Sequence, residues 1–99
     1  MENVKEEIII NFNLRESRSV ALNNGDIIGY CQYKEQDNVW SITHTVVKQE
    51  FGGRGIAKRV VLAVIEAARK NNKNINPICS YAKKMIESSD EYKDVLIQQ

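Results

Sequence analysis

Glu50-Phe51-Gly52-Gly53-Arg54-Gly55-Ile56-Ala57 is the stretch on which the reading of this chain turns. It holds three of the chain's five glycines within four residues. A β-branched segment, Val39 to Val47, runs before it, and a helical pattern follows from Gly55 to about Lys70. A glycine-rich turn that opens a helix is a ready anion site. The first helical N–H groups have no partners within the helix, and the helix dipole favours negative charge there. The same glycines also suit a tight strand-to-helix connection, because glycine serves any position with positive φ. Neither G-x-x-x-x-G-K-[ST] nor G-x-G-x-x-G is present, so the nucleotide P-loop and the dinucleotide fingerprint lack their required residues.

Upstream of the turn the chain reads as strands. Ile8 to Phe12 is a short β-branched run, and Arg18 to Leu22 leads into Asn23-Asn24-Gly25-Asp26, a hairpin signal. Ile27 to Tyr33 returns, Glu35 to Asn38 makes a second polar turn, and Val39 to Val47 is the fourth strand. Strict alternation along that strand puts Trp40, Ile42, His44 and Val46 on one face and Val39, Ser41, Thr43, Thr45 and Val47 on the other.

Downstream, Ile56, Val60, Ala63, Val64, Ala67 and Ala68 recur at helical spacing. Ile75 to Tyr81 reads as a fifth strand and Ala82 to about Ser88 as a second helix. Ser89-Asp90-Glu91 is a cap for a last turn from Tyr92 to Ile97. The expected fold class is α+β: an antiparallel meander, then a β-α-β unit whose strands are parallel neighbours, then a C-terminal helix.

Composition bounds the function. Residues 1–99 suit a single domain with one core, 42% of them apolar. Fourteen basic and 13 acidic residues give a net charge of +1, which argues against an electrostatic nucleic-acid binder. The charge is uneven. Arg54, Lys58, Arg59, Arg69, Lys70 and Lys73 follow the glycine turn, whereas Glu2, Glu6, Glu7, Glu87, Asp90, Glu91 and Asp94 sit near the termini. Solvated helix faces account for such a distribution, and so does a local positive field for an anionic cofactor. Cys31 and Cys79 form no metal-binding spacing, and the one histidine adds no second ligand, so no metal is expected. The start of the chain is polar and acidic, and no apolar run approaches the ~20 residues of a membrane span. The expectation is a cytoplasmic protein with reduced thiols, bound to no membrane. The sequence leaves the oligomeric state open.

The arrangement resembles the GCN5-related N-acetyltransferase superfamily, and within it the smallest single-domain branch. The superfamily's coenzyme A motif, Q/R-x-x-G-x-G/A, is matched by Gly52-Gly53-Arg54-Gly55-Ile56-Ala57, with Gly52 standing where Gln or Arg is usual. The branch's other marks are matched by Ile42-Thr43-His44-Thr45, by Pro77-Ile78-Cys79-Ser80-Tyr81 and by Glu91-Tyr92-Lys93-Asp94-Val95. The resemblance implies acetyl-CoA as co-substrate and a small-molecule or peptide amine as acceptor. It implies that the backbones of Thr45, Val46 and Val47 pair with the pantetheine arm. Gly52, Gly53, Arg54, Gly55, Ile56 and Ala57 then wrap the diphosphate, and Tyr92 joins the cofactor-binding set.

Cys79, His44 and Tyr81 are the candidates for chemistry. Cys79 stands beside the β-α-β crevice, where mixed sheets bind ligands. It is placed to carry the acetyl group, to protonate the leaving thiolate, or only to contact the pantetheine sulfur. A buried structural thiol is the other reading. His44 suits a general base for Cys79 or for the amine, and equally a hydrogen-bonded core residue. Tyr81 and Tyr92 each carry a phenol able to return a proton to a thiolate, or simply pack. A coenzyme A-binding module with little transferase activity remains the alternative function.

Overall fold

The glycine turn joins a sheet to the helix that covers it. The computed structural model describes residues 7–97, so the acidic Glu2 and Glu6 lie outside the described residues. The strands are β1 (Ile8–Asn13), β2 (Arg18–Asn23), β3 (Asp26–Gln36), β4 (Val39–Val47) and β5 (Asn74–Pro77). The helices are α1 (Ile56–Lys70) and α2 (Ser80–Glu87), with single 3₁₀ turns at Gln49–Phe51 and Asp90–Tyr92. The five strands form one sheet in chain order, antiparallel from β1 to β4 and parallel between β4 and β5. This is the mixed sheet with a β-α-β unit that the periodicities imply.

Two hairpin turns rest on positive φ. Asn24 (51°) and Gly25 (86°) link β2 to β3, and Asp37 (52°) and Asn38 (65°) link β3 to β4. Asn, Asp and Gly tolerate that region, which matches the strand twist. The second turn is thus two residues long, and β3 continues through Glu35 and Gln36.

Helix α1 lies across β1 to β4. Ser19 Oγ donates to the Val60 carbonyl at 2.6 Å, so α1 covers the face of β2 that carries Ser19 and Ala21. Register carries that face to Cys31, opposite Ser19, and then to Tyr33, opposite Ile42. Val60, Val61, Val64 and Ile65 of α1 are fully buried with Tyr33, Trp40, Ile42 and Ile75. Phe12, Tyr33 and Trp40 stack, with Tyr33 and Trp40 ring centroids 4.1 Å apart. Aromatic pairs at such separations contribute beyond their buried area.

A bulge interrupts β4. Gln32 pairs with His44 while Tyr33 pairs with Ile42, leaving Thr43 as an extra residue. A bulge shifts the alternation of faces by one. Trp40 and Ile42 point inward before it, and Thr45 and Val47 do so after it, while His44 and Val46 become exposed. The strict alternation expected from the sequence therefore fails at Thr43. His44 does not share the buried face of Trp40 and Ile42.

The fifth strand is shorter than its apolar run implies. It ends at Pro77, and Ser80 and Tyr81 already belong to α2. Proline has no N–H to continue a ladder, and Cys79 caps the helix that follows. Past α2, Ser89 caps the second 3₁₀ turn by accepting from the Glu91 N–H. Leu96 then bridges Ile75 in parallel fashion.

Candidate active site

Strands β4 and β5 pair over four positions, from Val39 with Asn74 to Ile42 with Pro77. The Ile42 carbonyl then accepts the N–H groups of Ile78 (3.0 Å) and Cys79 (2.9 Å), and the chain turns into α2. Strand β4 continues five residues further, and among the described residues no strand pairs with that edge beyond Ile42. The two strands thus open into a cleft whose one wall is the edge of Thr43 to Val47. An extended ligand can pair with such an edge as an added strand does.

The glycine turn closes the cleft's wide end. Lys48 N–H donates to the Ile28 carbonyl (2.8 Å), and the 3₁₀ turn ends with Gly52 N–H on the Gln49 carbonyl (3.0 Å). Gly53 (φ 77°) and Gly55 (φ 74°) are left-handed. Side chains there are strained by backbone conformation alone, since an added Cβ at either meets nothing within 4 Å. Gly55 is the N-cap of α1, with no side-chain cap, and its carbonyl accepts Arg59 N–H at 3.2 Å. The amides of Ile56, Ala57 and Lys58 precede that first helical bond.

These groups border a hollow of about 220 Å³. Val47, Phe51 and Tyr81 line it together with Gly52, Gly53, Gly55, Ile56 and Ala57 of the turn and the start of α1. Arg54 lies over the Phe51 ring, 5.2 Å from the centroid. The hollow, its bare glycines and the amides at the start of α1 fit a phosphate-bearing ligand. Phe51 was given no role by sequence reasoning; an aromatic immediately before the glycine turn was the available signal.

Cys79 sits where β5 gives way to α2. It is half-buried, and its Sγ accepts the Ala82 N–H at 3.4 Å as the N-cap of α2. Thr45 Oγ1 lies 3.3 Å from the same sulfur, and the Thr45 hydroxyl donates to Cys31 Sγ at 3.8 Å. Cys31 is fully buried in the middle of β3. Burial pushes its thiol up to about 12, the Thr45 hydrogen bond opposing this.

The other two candidates for chemistry fall differently. The His44 ring is exposed, and its Nδ1 meets Thr43 Oγ1 at 3.0 Å. Thr45, the next residue, turns to the opposite face to reach Cys79, so the neighbouring strands do not bring His44 onto that thiol. Tyr81 is in the first turn of α2 and lines the hollow. Partial burial raises its phenol above the ordinary range. Tyr92 does not border the hollow. It is 5% exposed and packs in the core, because the 3₁₀ turn carrying it folds back on α2. Of the strand residues expected against a pantetheine arm, Val47 lines the hollow, whereas the Thr45 side chain faces the cysteines and Val46 is exposed.

Comparison with known proteins agrees with this architecture. The family described as GCN5-related N-acetyl-transferase matches residues 17–95. A GCN5-like protein of Staphylococcus aureus, solved by NMR, is 33% identical, with a TM-score of 0.72 over 92% of this chain and 89% of that one. N-acetylglutamate synthase from Neisseria gonorrhoeae, solved with coenzyme A and N-acetyl-glutamate, is 13% identical with a TM-score of 0.63. It matches 82% of this chain, which spans 21% of that protein. A Bacillus anthracis structure described as a streptothricin acetyltransferase, with acetyl coenzyme A, is 23% identical with a TM-score of 0.57, over 72% of this chain and 44% of that one. The last two share the fold. No curated protein matches the chain. The family match spans most of the sequence, and the chain belongs to the GCN5-related N-acetyltransferase family.

Proposed function

We propose that this chain is an acetyl-CoA-dependent N-acetyltransferase acting on a small-molecule or peptide amine. One observation carries the reading. The cleft between β4 and β5 leads from Cys79 to a hollow walled by left-handed glycines and the unpaired start of α1. In this reading Gly53, Gly55, Ile56 and Ala57 hold the diphosphate through their amides. The free edge from Thr45 to Val47 orients the pantetheine arm, and a β4 amide polarises the thioester carbonyl.

Two routes fit the residues at the cleft. The amine can attack the thioester directly, with Tyr81 or Cys79 returning a proton to the departing thiolate. The Tyr81 phenol, raised further by burial, carries its proton near neutral pH as an ordinary phenol does, and so has one to give. A route through acetyl-Cys79 needs a base for the thiol. Thr45 and the Ala82 N–H meet that sulfur, and His44 turns away, which favours direct attack.

A second reading, a coenzyme A-binding module of low activity, is favoured by Gly52, which brings no side chain to the diphosphate. Acetyl-CoA titration with backbone amide shifts tests both readings. Shifts at Gly53 to Ala57 are expected, and none there overturns both. Coenzyme A release across an amine panel then separates them, because release at background for every amine selects the binding module. One acetyl adduct in the intact mass, lost in Cys79→Ser, would instead restore the covalent route.

A further inference from the structure

The side chain of Thr45 does something that its backbone role does not explain. Its hydroxyl has one proton, yet it meets two sulfurs: Cys31 Sγ at 3.8 Å and Cys79 Sγ at 3.3 Å. The hydroxyl proton can go to Cys31, in which case Cys79 S–H donates to the hydroxyl's lone pair, or to Cys79 itself, since either partner of that contact can be the donor. The bulge at Thr43 makes this meeting possible, since without the extra residue position 45 would face the opposite side of the sheet. The other donor to Cys79 Sγ is fixed, being the Ala82 amide of α2.

We propose that Thr45 is a positioning residue for Cys79, a rotatable donor that turns from Cys31 to Cys79 when the Cys79 sulfur gives up its proton. No covalent step is involved. The Cys79 proton leaves to solvent or to the departing group, one O–H rotates by a single torsion, and Cys31 keeps its own proton. Burial holds the Cys31 thiol neutral throughout, so it competes for the Thr45 proton only as a weak acceptor. After the turn, Cys79 Sγ accepts two hydrogen bonds, from Thr45 and Ala82. Of the titratable groups on the elements beside Cys79, Cys31 of β3 shares the Thr45 hydroxyl, His44 precedes Thr45 on β4, and Tyr81 and Lys83 follow in α2. His44 points away with its Nδ1 on Thr43, and Lys83 contributes its backbone N–H to the Cys79 carbonyl at 3.0 Å.

The role of this rotor in transfer rests on the acetyltransferase reading, but its test does not. Cys79 is alkylated with iodoacetamide in the apo chain from pH 6 to pH 10, with folding followed by circular dichroism. Thr45→Val keeps the shape and removes the donor. Its rate at pH 7 is expected to fall roughly tenfold, the scale of one hydrogen bond to a charged group, and the gap should close at high pH. Thr45→Ser keeps the hydroxyl and should stay within about threefold of the native rate. Cys31→Ala removes the competing acceptor with Thr45 intact, and its rate at pH 7 should rise. A native profile in Thr45→Val, equal slowing in Thr45→Val and Thr45→Ser, or a slower Cys31→Ala overturns the proposal. The acetyl-CoA titration stands or falls separately.

Discussion

The Ile42 carbonyl accepts two N–H groups at the point where β5 leaves β4, and the closer is that of Cys79, at 2.9 Å. This bond fixes the thiol at the apex of the cleft. It also ties the cap of α2 to the last strand residue before the bulge. The Cys79 end of the cleft is therefore tied to the β4–β5 ladder, while the other end depends on the conformation of the glycine turn.

That dependence gives the first prediction. Gly55→Ala forces a side chain into φ 74° at the N-cap of α1. A left-handed alanine costs about 1–2 kcal/mol. Thermal denaturation should report a loss of that size, and calorimetry should report weaker acetyl-CoA binding as the turn relaxes. An unchanged affinity with reduced stability would show that the turn has no part in holding the ligand.

Gly52 should behave in the opposite way. It is extended (φ −66°, ψ 154°), and an added Cβ meets only the Gln49 carbonyl, at 3.2 Å. A side chain there needs a shift of a few tenths of an ångström. Gly52→Gln is expected to cost under about 1 kcal/mol of stability, the usual range for a surface change with mild crowding. It should tighten acetyl-CoA binding by adding a donor beside the diphosphate, and a calorimetric Kd weaker than native would refute that role for position 52.

Acid should loosen the C-terminal segment. Arg69 Nε and its neighbouring nitrogen hold Asp94 at 2.9 and 3.0 Å, and Arg69 also donates to the Glu91 carbonyl at 2.7 Å. The Arg69 hydrogen bonds hold the Asp94 carboxyl below the usual carboxylate range. A depressed folded value means the contribution is present above the unfolded value, near ~3.9, and is lost as pH falls below it. Urea midpoints measured from pH 6 down to pH 2 should fall along this limb, and less steeply in Asp94→Asn.

The two thiols should separate by reactivity. Cys31 is fully buried and pushed up to about 12, whereas Cys79 is half-buried. Iodoacetamide at pH 8 should add one group to the folded chain, at Cys79, and two in denaturant; mass spectrometry of the peptides decides. Burial favours the neutral Cys31 thiol, so its contribution to stability is complete below the unfolded value of ~8.5. It is lost as pH rises from there through about 12. Alkaline unfolding should therefore begin at higher pH in Cys31→Ala.

The sequence by itself determined the elements and their order. The hairpin at Asn24-Gly25, the helical spacing from Ile56 to Ala68, and the glycine turn between strand and helix are local signals, set by backbone preference and periodicity. They sufficed for the meander, the β-α-β unit and the family. The tertiary structure decided which side chains meet. A bulge at Thr43 depends on how β3 and β4 pair, and strand propensity does not mark it, yet it turns His44 to solvent and brings Thr45 onto Cys79. The run from Pro77 to Tyr81 is as apolar as a strand, and it divides because Pro77 has no N–H to continue a ladder and Cys79 caps α2. Tyr92 is buried only because the second 3₁₀ turn folds back on α2. Local signals fix what each segment becomes, whereas the site's contacts come from register and long-range packing.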